Sequence, residues 1–170
     1  DIMDILRILA QIFGICGIVV FVLMYHFKTM KNVLIMKMIM DILWALHYLL
    51  IGATSAFAIN MICFVRENIF LRNNRKFFGA KVWLWIFIAF NLASAAVTWK
   101  GYYSLLPAVA SSLATYSFWQ KNVKVARIIG VSNNVMMFTY DIFVNSVMGL
   151  IGETFAFVSV IIALYRNRKA

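Results

Sequence analysis

Charge is scarce in this chain. Of its 170 residues 13% are charged, and only 6 are Asp or Glu. A soluble domain carries about 25% charged residues, so the solvated shell of a soluble domain has little here to form from. Cysteine is nearly absent. Cys16 and Cys63 lie in apolar stretches without C-x-x-C spacing, which excludes a disulfide framework and reads as two small buried hydrophobes. With His26 and His47 they make no recognised ligand set, so neither a metal site nor a cofactor is expected. No nucleophile motif accompanies Asp41, His47 and Asp141, which argues against an intramembrane enzyme. Residues 146–165 contain no lysine, which excludes a retinal protein with its anchor in the last span.

Apolar sequence fills the space instead. Hydrophobic residues make up 64% of the chain. Runs of about 20 apolar residues are long enough to cross a bilayer, and seven candidates stand at 4–27, 33–51, 54–72, 80–99, 102–119, 125–144 and 146–165. They consume nearly everything, so 1–170 reads as one membrane-embedded domain. The first span opens on Asp1 and Asp4 without a basic n-region. It reads as a retained helix rather than a signal peptide.

The net charge of +10 is a topology signal, because no nucleic-acid module accompanies it. Lys28 and Lys31 separate spans one and two. Arg72, Arg75, Lys76 and Lys81 separate three and four. Lys121, Lys124 and Arg127 mark the junction of five and six, and Arg166, Arg168 and Lys169 form the tail. The alternate junctions hold only Lys100. Cytoplasmic loops retain Lys and Arg, which predicts the N-terminus outside and the C-terminus in the cytoplasm. These loops also suit anionic lipid headgroups.

Laid on itself at a shift of 93 residues, the chain pairs Lys28 with Lys121, Lys31 with Lys124, Gly14 with Pro107, Asp41 with Asn134, His47 with Tyr140, and Asn60 with Glu153. A competing register sets KNV at 31–33 on KNV at 121–123; the polar residues favour the first. The expected fold class is all-α, a polytopic membrane protein of seven transmembrane helices as 3+1+3 parallel repeats. Repeat one covers 4–72, the linker helix 80–99, and repeat two 102–165.

Residues 41–50 read DILWALHYLL, an apolar run that keeps Asp41 and His47. At about 100° per residue, Lys37, Asp41, Trp44, His47 and Tyr48 share one helix face. Arg127, Gly130, Asn133, Asn134, Met137, Tyr140, Asp141 and Asn145 share one face of span six. A charge exposed to lipid costs about 2.5–3.5 kcal/mol or more near the bilayer centre, so both stripes are expected to face inward. Asn60 and Glu153 add one polar group from the third helix of each half. Trp44, His47, Asn60, Asn134, Tyr140 and Glu153 are the candidate solute ligands, with Asp41, Asn133 and Asp141 as a supporting polar face. Plainer roles compete: Lys37 and Arg127 as snorkelling side chains, Arg66 and Glu67 as interfacial anchors, Asn133 and Asn134 as interhelical glue. Gly14 and Pro107, read near the middle of their spans, are candidate hinges.

The strings LWALHYLLIGATSAFAIN, VRENIF, SLLPAVASSLATYSFWQKN and YDIFVNSVMGLIGETF, with the closing YR, resemble YgjV-type bacterial inner membrane proteins over nearly the whole chain. That family resembles the PQ-loop and SWEET-like group, which includes sugar transporters and a sorting receptor. SWEET-like carriers place prolines in several helices; this chain has Pro107 alone. The expected function is a small transporter or facilitator for a polar metabolite, with a non-transporting receptor of the same fold as the alternative. The expected partners are a small polar solute and the lipid bilayer, with no nucleic acid. Self-association into a homo-oligomer stays open.

Overall fold

The structure, a computed structural model, describes residues 2–72, 81–120 and 122–166. Arg75, Lys76, Lys121, Arg168 and Lys169, counted above among the basic junctions, lie outside the described residues. Among the described residues the fold is all-α: α1 Ile2–Met24, α2 Met30–Leu50, α3 Thr54–Leu71, α4 Val82–Val97, α5 Leu105–Trp119, α6 Val123–Phe143 and α7 Val147–Arg166, with a 3-10 turn at Tyr102–Ser104 before α5.

Each helix falls on one predicted apolar run, and the ends shift for local reasons. The second begins at Met30 rather than 33 because Thr29 caps it, its hydroxyl accepting from Asn32 N. The sixth begins at Val123 because Asn122 Oδ1 accepts from the amides of Lys124 and Val125. Polar residues that looked like loop become first-turn residues. The start of the fifth run is a 3-10 turn, which puts Pro107 in the first turn of α5. There its missing N–H is one that the helix would leave unpaired anyway. Pro107 is therefore not near the middle of a helix, whereas Gly14 is near the middle of α1.

Length and apolar composition sufficient to cross a membrane are found in Asp4–Met24, Met30–Leu50 and Val147–Arg166, and Val82–Val97 is a shorter apolar helix. The others carry polar residues that lower their hydropathy, such as Arg66 and Glu67 in α3 and Asn133, Asn134 and Asp141 in α6. The packing order is cyclic. α1 meets α2, α2 meets α3, α3 meets α5, α5 meets α6, α6 meets α7, and α7 returns to α1, while α4 packs on α3 and α5.

Burial is inverted relative to a soluble protein. Ile5, Ile8, Ile12, Ile15, Val19 and Leu23 form an exposed apolar face on α1, and Phe155, Val158, Ile161 and Ile162 another on α7. Cys16 belongs to this exposed surface, whereas Cys63 is buried as expected. Asp41, Arg66, Glu67 and Asp141 are 0% exposed.

Two turns match closely. The α2–α3 turn holds Gly52 at φ 76°, and the α6–α7 turn holds Asn145 at φ 53°. Both are left-handed conformations that favour Gly or Asn. A Cβ on Gly52 would meet nothing within 4 Å, so the backbone conformation alone decides its tolerance. Gly52→Ala is expected to destabilise the protein by about 1 kcal/mol, and Asn145→Gly to be neutral or slightly stabilising. Denaturant unfolding in detergent micelles checks both.

Candidate functional site

A cavity of about 110 Å³ lies among α1, α2, α3, α5, α6 and α7. No residue of α4 lines it. Of the expected ligands, Trp44, Asn60, Asn134 and Glu153 line it, together with Asn133 and Pro107. His47, Tyr140, Asp41 and Asp141 do not. They are buried beside it.

Trp44 reaches its position because glycines make room. A Cβ at Gly17 would lie 3.1 Å from its ring, and one at Gly152 would lie 2.9 Å from it. Gly14 is tight for a similar reason: its Cβ would stand 2.7 Å from Met148 Cβ and 3.2 Å from His47 Nδ1. Close packing against α7 and α2 thus accounts for glycine there.

Asn134 is the polar centre of the cavity. With its amide oriented to satisfy every neighbour, its nitrogen faces Glu153 Oε2 at 3.2 Å, Tyr25 Oη at 3.3 Å and Gly130 O at 3.0 Å, and its oxygen accepts from Phe157 N at 3.1 Å. Asn60 Nδ2 donates to Ala56 O at 2.8 Å, within its own helix.

The cavity lining ends at Tyr48 on α2 and Met137 on α6. Beyond them lies a polar and aromatic plug. Tyr48 donates to Asp141 Oδ1 at 2.8 Å, and its ring packs edge-on to Tyr140, with centroids 6.3 Å apart. Tyr103 packs on Tyr140 at 6.1 Å and stacks on Phe143 at 5.3 Å. His47 Nδ1 is 2.9 Å from Ala10 O, and its Nε2 is 2.9 Å from Ser146 Oγ. A carbonyl only accepts, so Nδ1 carries a proton; with the ring neutral, Nε2 accepts from the Ser146 hydroxyl. Ser146 Oγ in turn accepts from Gly149 N at 3.0 Å. His47 is thus fixed by α1 on one side and by the α6–α7 turn on the other.

The other end is basic. Lys37 forms the i, i+4 ion pair with Asp41 that the sequence suggested. Arg127 donates to the carbonyls of Tyr25 at 3.1 Å and Phe27 at 3.2 Å. Both Lys37 and Arg127 line the cavity. Arg66 and Glu67, expected as interfacial anchors, are both 0% exposed and joined at 2.6 Å. Arg66 also donates to Ser111 O at 3.0 Å and Thr115 Oγ1 at 2.5 Å on α5, and its guanidinium lies 5.4 Å from the Phe118 ring centroid. Sequence reading missed this cluster because charges near a helix end suggest the interface. The spacing Asn60, Cys63, Arg66 and Glu67 repeats at helical period and carried the signal. Among the described residues no group of three or more His, Cys, Asp or Glu could hold a metal ion.

The Imp-YgjV family, described as bacterial inner membrane protein, matches residues 8–170. The chain belongs to this family. It is a multi-pass helical protein of the bacterial inner membrane, and the exposed apolar faces of α1 and α7 have lipid as their natural neighbour. No curated protein and no solved structure matches it. In this member of the Imp-YgjV family, six helices of the matched region and Tyr25, in the turn after α1, line the cavity.

Breaking a buried ion pair by removing one partner costs about 3–5 kcal/mol, whereas replacing both is often neutral. Arg66→Met is expected to destabilise by that amount, and Arg66→Met with Glu67→Met to recover most of the loss. A double-mutant cycle on unfolding in micelles measures the difference.

Proposed function

We propose that this protein is a small transporter or facilitator that carries a polar metabolite across the inner membrane through the cavity between two three-helix repeats. One observation carries the reading. A chain with apolar outer faces holds a central cavity bordered by six helices and lined by Trp44, Asn60, Asn134 and Glu153. Polar groups inside a membrane bundle are costly, and they mark solute and ion pathways.

The repeat plan is 3+1+3 within a single domain, with repeat one at 4–72, the linker helix at 80–99 and repeat two at 102–165. Its support is the shift of 93. α2 and α6 begin and end 93 residues apart, as do the starts of α3 and α7. The capping residues Thr29 and Asn122 and the left-handed residues Gly52 and Asn145 obey the same shift. So do Tyr48 and Asp141, which hydrogen-bond to each other. Under that shift the α1–α7 contact becomes the α5–α3 contact, and both occur. This suits parallel repeats about an axis normal to the membrane, the SWEET-like and PQ-loop plan. The basic junctions support an N-terminus outside and a C-terminus in the cytoplasm.

Trp44, Asn60, Asn134 and Glu153 contact the solute. His47 and Tyr140 serve it from behind the wall, and Asp41, Asn133 and Asp141 form the supporting polar face. Gly14, near the middle of α1, is the bending point; Pro107, in the first turn of α5, breaks no helical hydrogen bond.

A receptor that binds without transporting is the second reading. The Tyr48–Asp141 and His47–Ser146 bonds favour it, because they tie the two halves together at one end of the cavity. Alternation would have to break them.

The test pairs binding with uptake. Thermal stability of the purified protein is measured against sugars, nucleosides, amino acids and vitamins, with His47→Ala and Glu153→Gln alongside. The expected outcome is a ligand that stabilises the wild type and neither variant, and that accumulates in proteoliposomes. Binding without uptake assigns the receptor. Ligands that shift all three proteins alike make these residues structural.

A further inference from the structure

We propose that the cavity takes a zwitterionic solute, with its acidic group toward Arg127 and its ammonium toward Glu153. This rests on the reading of the cavity as a solute site and names the class of solute.

Four charged side chains line the cavity: Lys37, Arg66, Arg127 and Glu153. Two are neutralised by residues outside the lining, Lys37 by Asp41 and Arg66 by Glu67. The other two have no ion-pair partner among the described residues. Arg127 donates to two backbone carbonyls and keeps Nε buried without a partner. Glu153 has the Asn134 amide. Each is only 7% exposed. A buried ion without a counter-ion is strongly disfavoured, so Arg127 lacks an anion, and Glu153 can hold its charge only with a cation beside it.

The two do not meet each other's demand. Glu153 sits level with Asn134, seven residues beyond Arg127 on α6, an axial distance of about 10 Å. Tyr25 spans the interval, its own carbonyl bonded to Arg127 and its hydroxyl 3.3 Å from Asn134. The cavity therefore has a positive pole and a negative pole about two helical turns apart.

A solute bearing both charges satisfies both poles at once. A simple anion or amine satisfies one and leaves the other. The guanidinium suits a carboxylate or similar oxyanion. At the other pole Trp44 packs on Gly152, next to Glu153, and borders the same end of the cavity. Between the poles the wall includes Phe21, Met24 and Met40. Such a wall accommodates methylenes and offers few hydrogen bonds to sugar hydroxyls. The separation favours charges at opposite ends of a short chain over charges on one carbon.

Thermal unfolding of the full-length protein in detergent is followed with ω-amino acids from glycine to 6-aminohexanoic acid. Matched monocarboxylates, matched monoamines and a hexose serve as comparisons. The expected result is a midpoint raised by several degrees by the longer ω-amino acids, and by much less with each comparison compound. Glu153→Gln is expected to lose the benefit of the amino group, and Arg127→Gln that of the carboxylate. Arg127→Lys, which keeps the charge, retains part of the shift and guards against a folding defect in Arg127→Gln. The proposal is overturned if a singly charged analogue or the hexose does as well. It is equally overturned if no ω-amino acid shifts the wild type, or if both charge-removing variants respond as the wild type does. Uptake into proteoliposomes separates the two readings. Stabilisation by the zwitterion without uptake removes the transporter and keeps the solute class. Hexose uptake with indifference to zwitterions does the reverse.

Discussion

A charge in a lipid-surrounded bundle can be satisfied only from within, and most of this structure follows from that constraint. The outer faces of α1 and α7 are Ile, Val, Leu and Phe. Lys37 pairs with Asp41 and Arg66 with Glu67, Arg127 donates to backbone carbonyls, Asp141 accepts from Tyr48, and Glu153 faces the Asn134 amide. Helical backbone satisfies its own hydrogen bonds, so no edge is left open to lipid. Apolar packing supplies little drive here, because the surrounding lipid is as apolar as leucine. Polar contacts and close packing at small residues carry the specificity.

Those contacts fall on the joints between helices. Ser159 Oγ donates to Val22 O at 3.2 Å, tying α7 to α1. Arg66 ties α3 to α5, and Asn91 Nδ2, at 3.5 Å from Thr115 Oγ1, brings α4 to the same point. Tyr48 joins α2 to α6. Hydrogen bonds have fixed directions where methyl contacts do not, so each joint has one preferred seating.

The fold was legible because its signal is long and redundant. Each of the seven α-helices among the described residues falls on one apolar run, and the polar stripe read from Lys37 to Tyr48 is buried apart from Lys37 itself, which is partly exposed. Helix ends were less legible. Thr29 and Asn122 act through capping bonds that hydropathy does not register. The site was legible by residue type and less so by depth. Trp44, Asn60, Asn134 and Glu153 share a cavity, while His47 and Tyr140, on the same faces, lie past its end. One helical turn separates lining from plug, and periodicity does not resolve it. Arg66 was missed for a different reason. Its counter-charge, Glu67, is the adjacent residue, and its other partners are on α5, far away in sequence.

On the proposed repeat plan the Tyr48–Asp141 bond bears on symmetry. On the twofold plan, residues that correspond and also touch must stand at the axis. A homodimer of identical three-helix subunits would have set tyrosine against tyrosine there, or aspartate against aspartate. The second pairing brings two carboxylates together in a dry interior, and neither pairing gives the neutral donor to carboxylate match seen here. That match needs two different residues at one symmetric position, which a homodimer cannot provide. On the proposed plan the axis is where the two halves must differ in sequence, and a homodimer of either half would lose this bond.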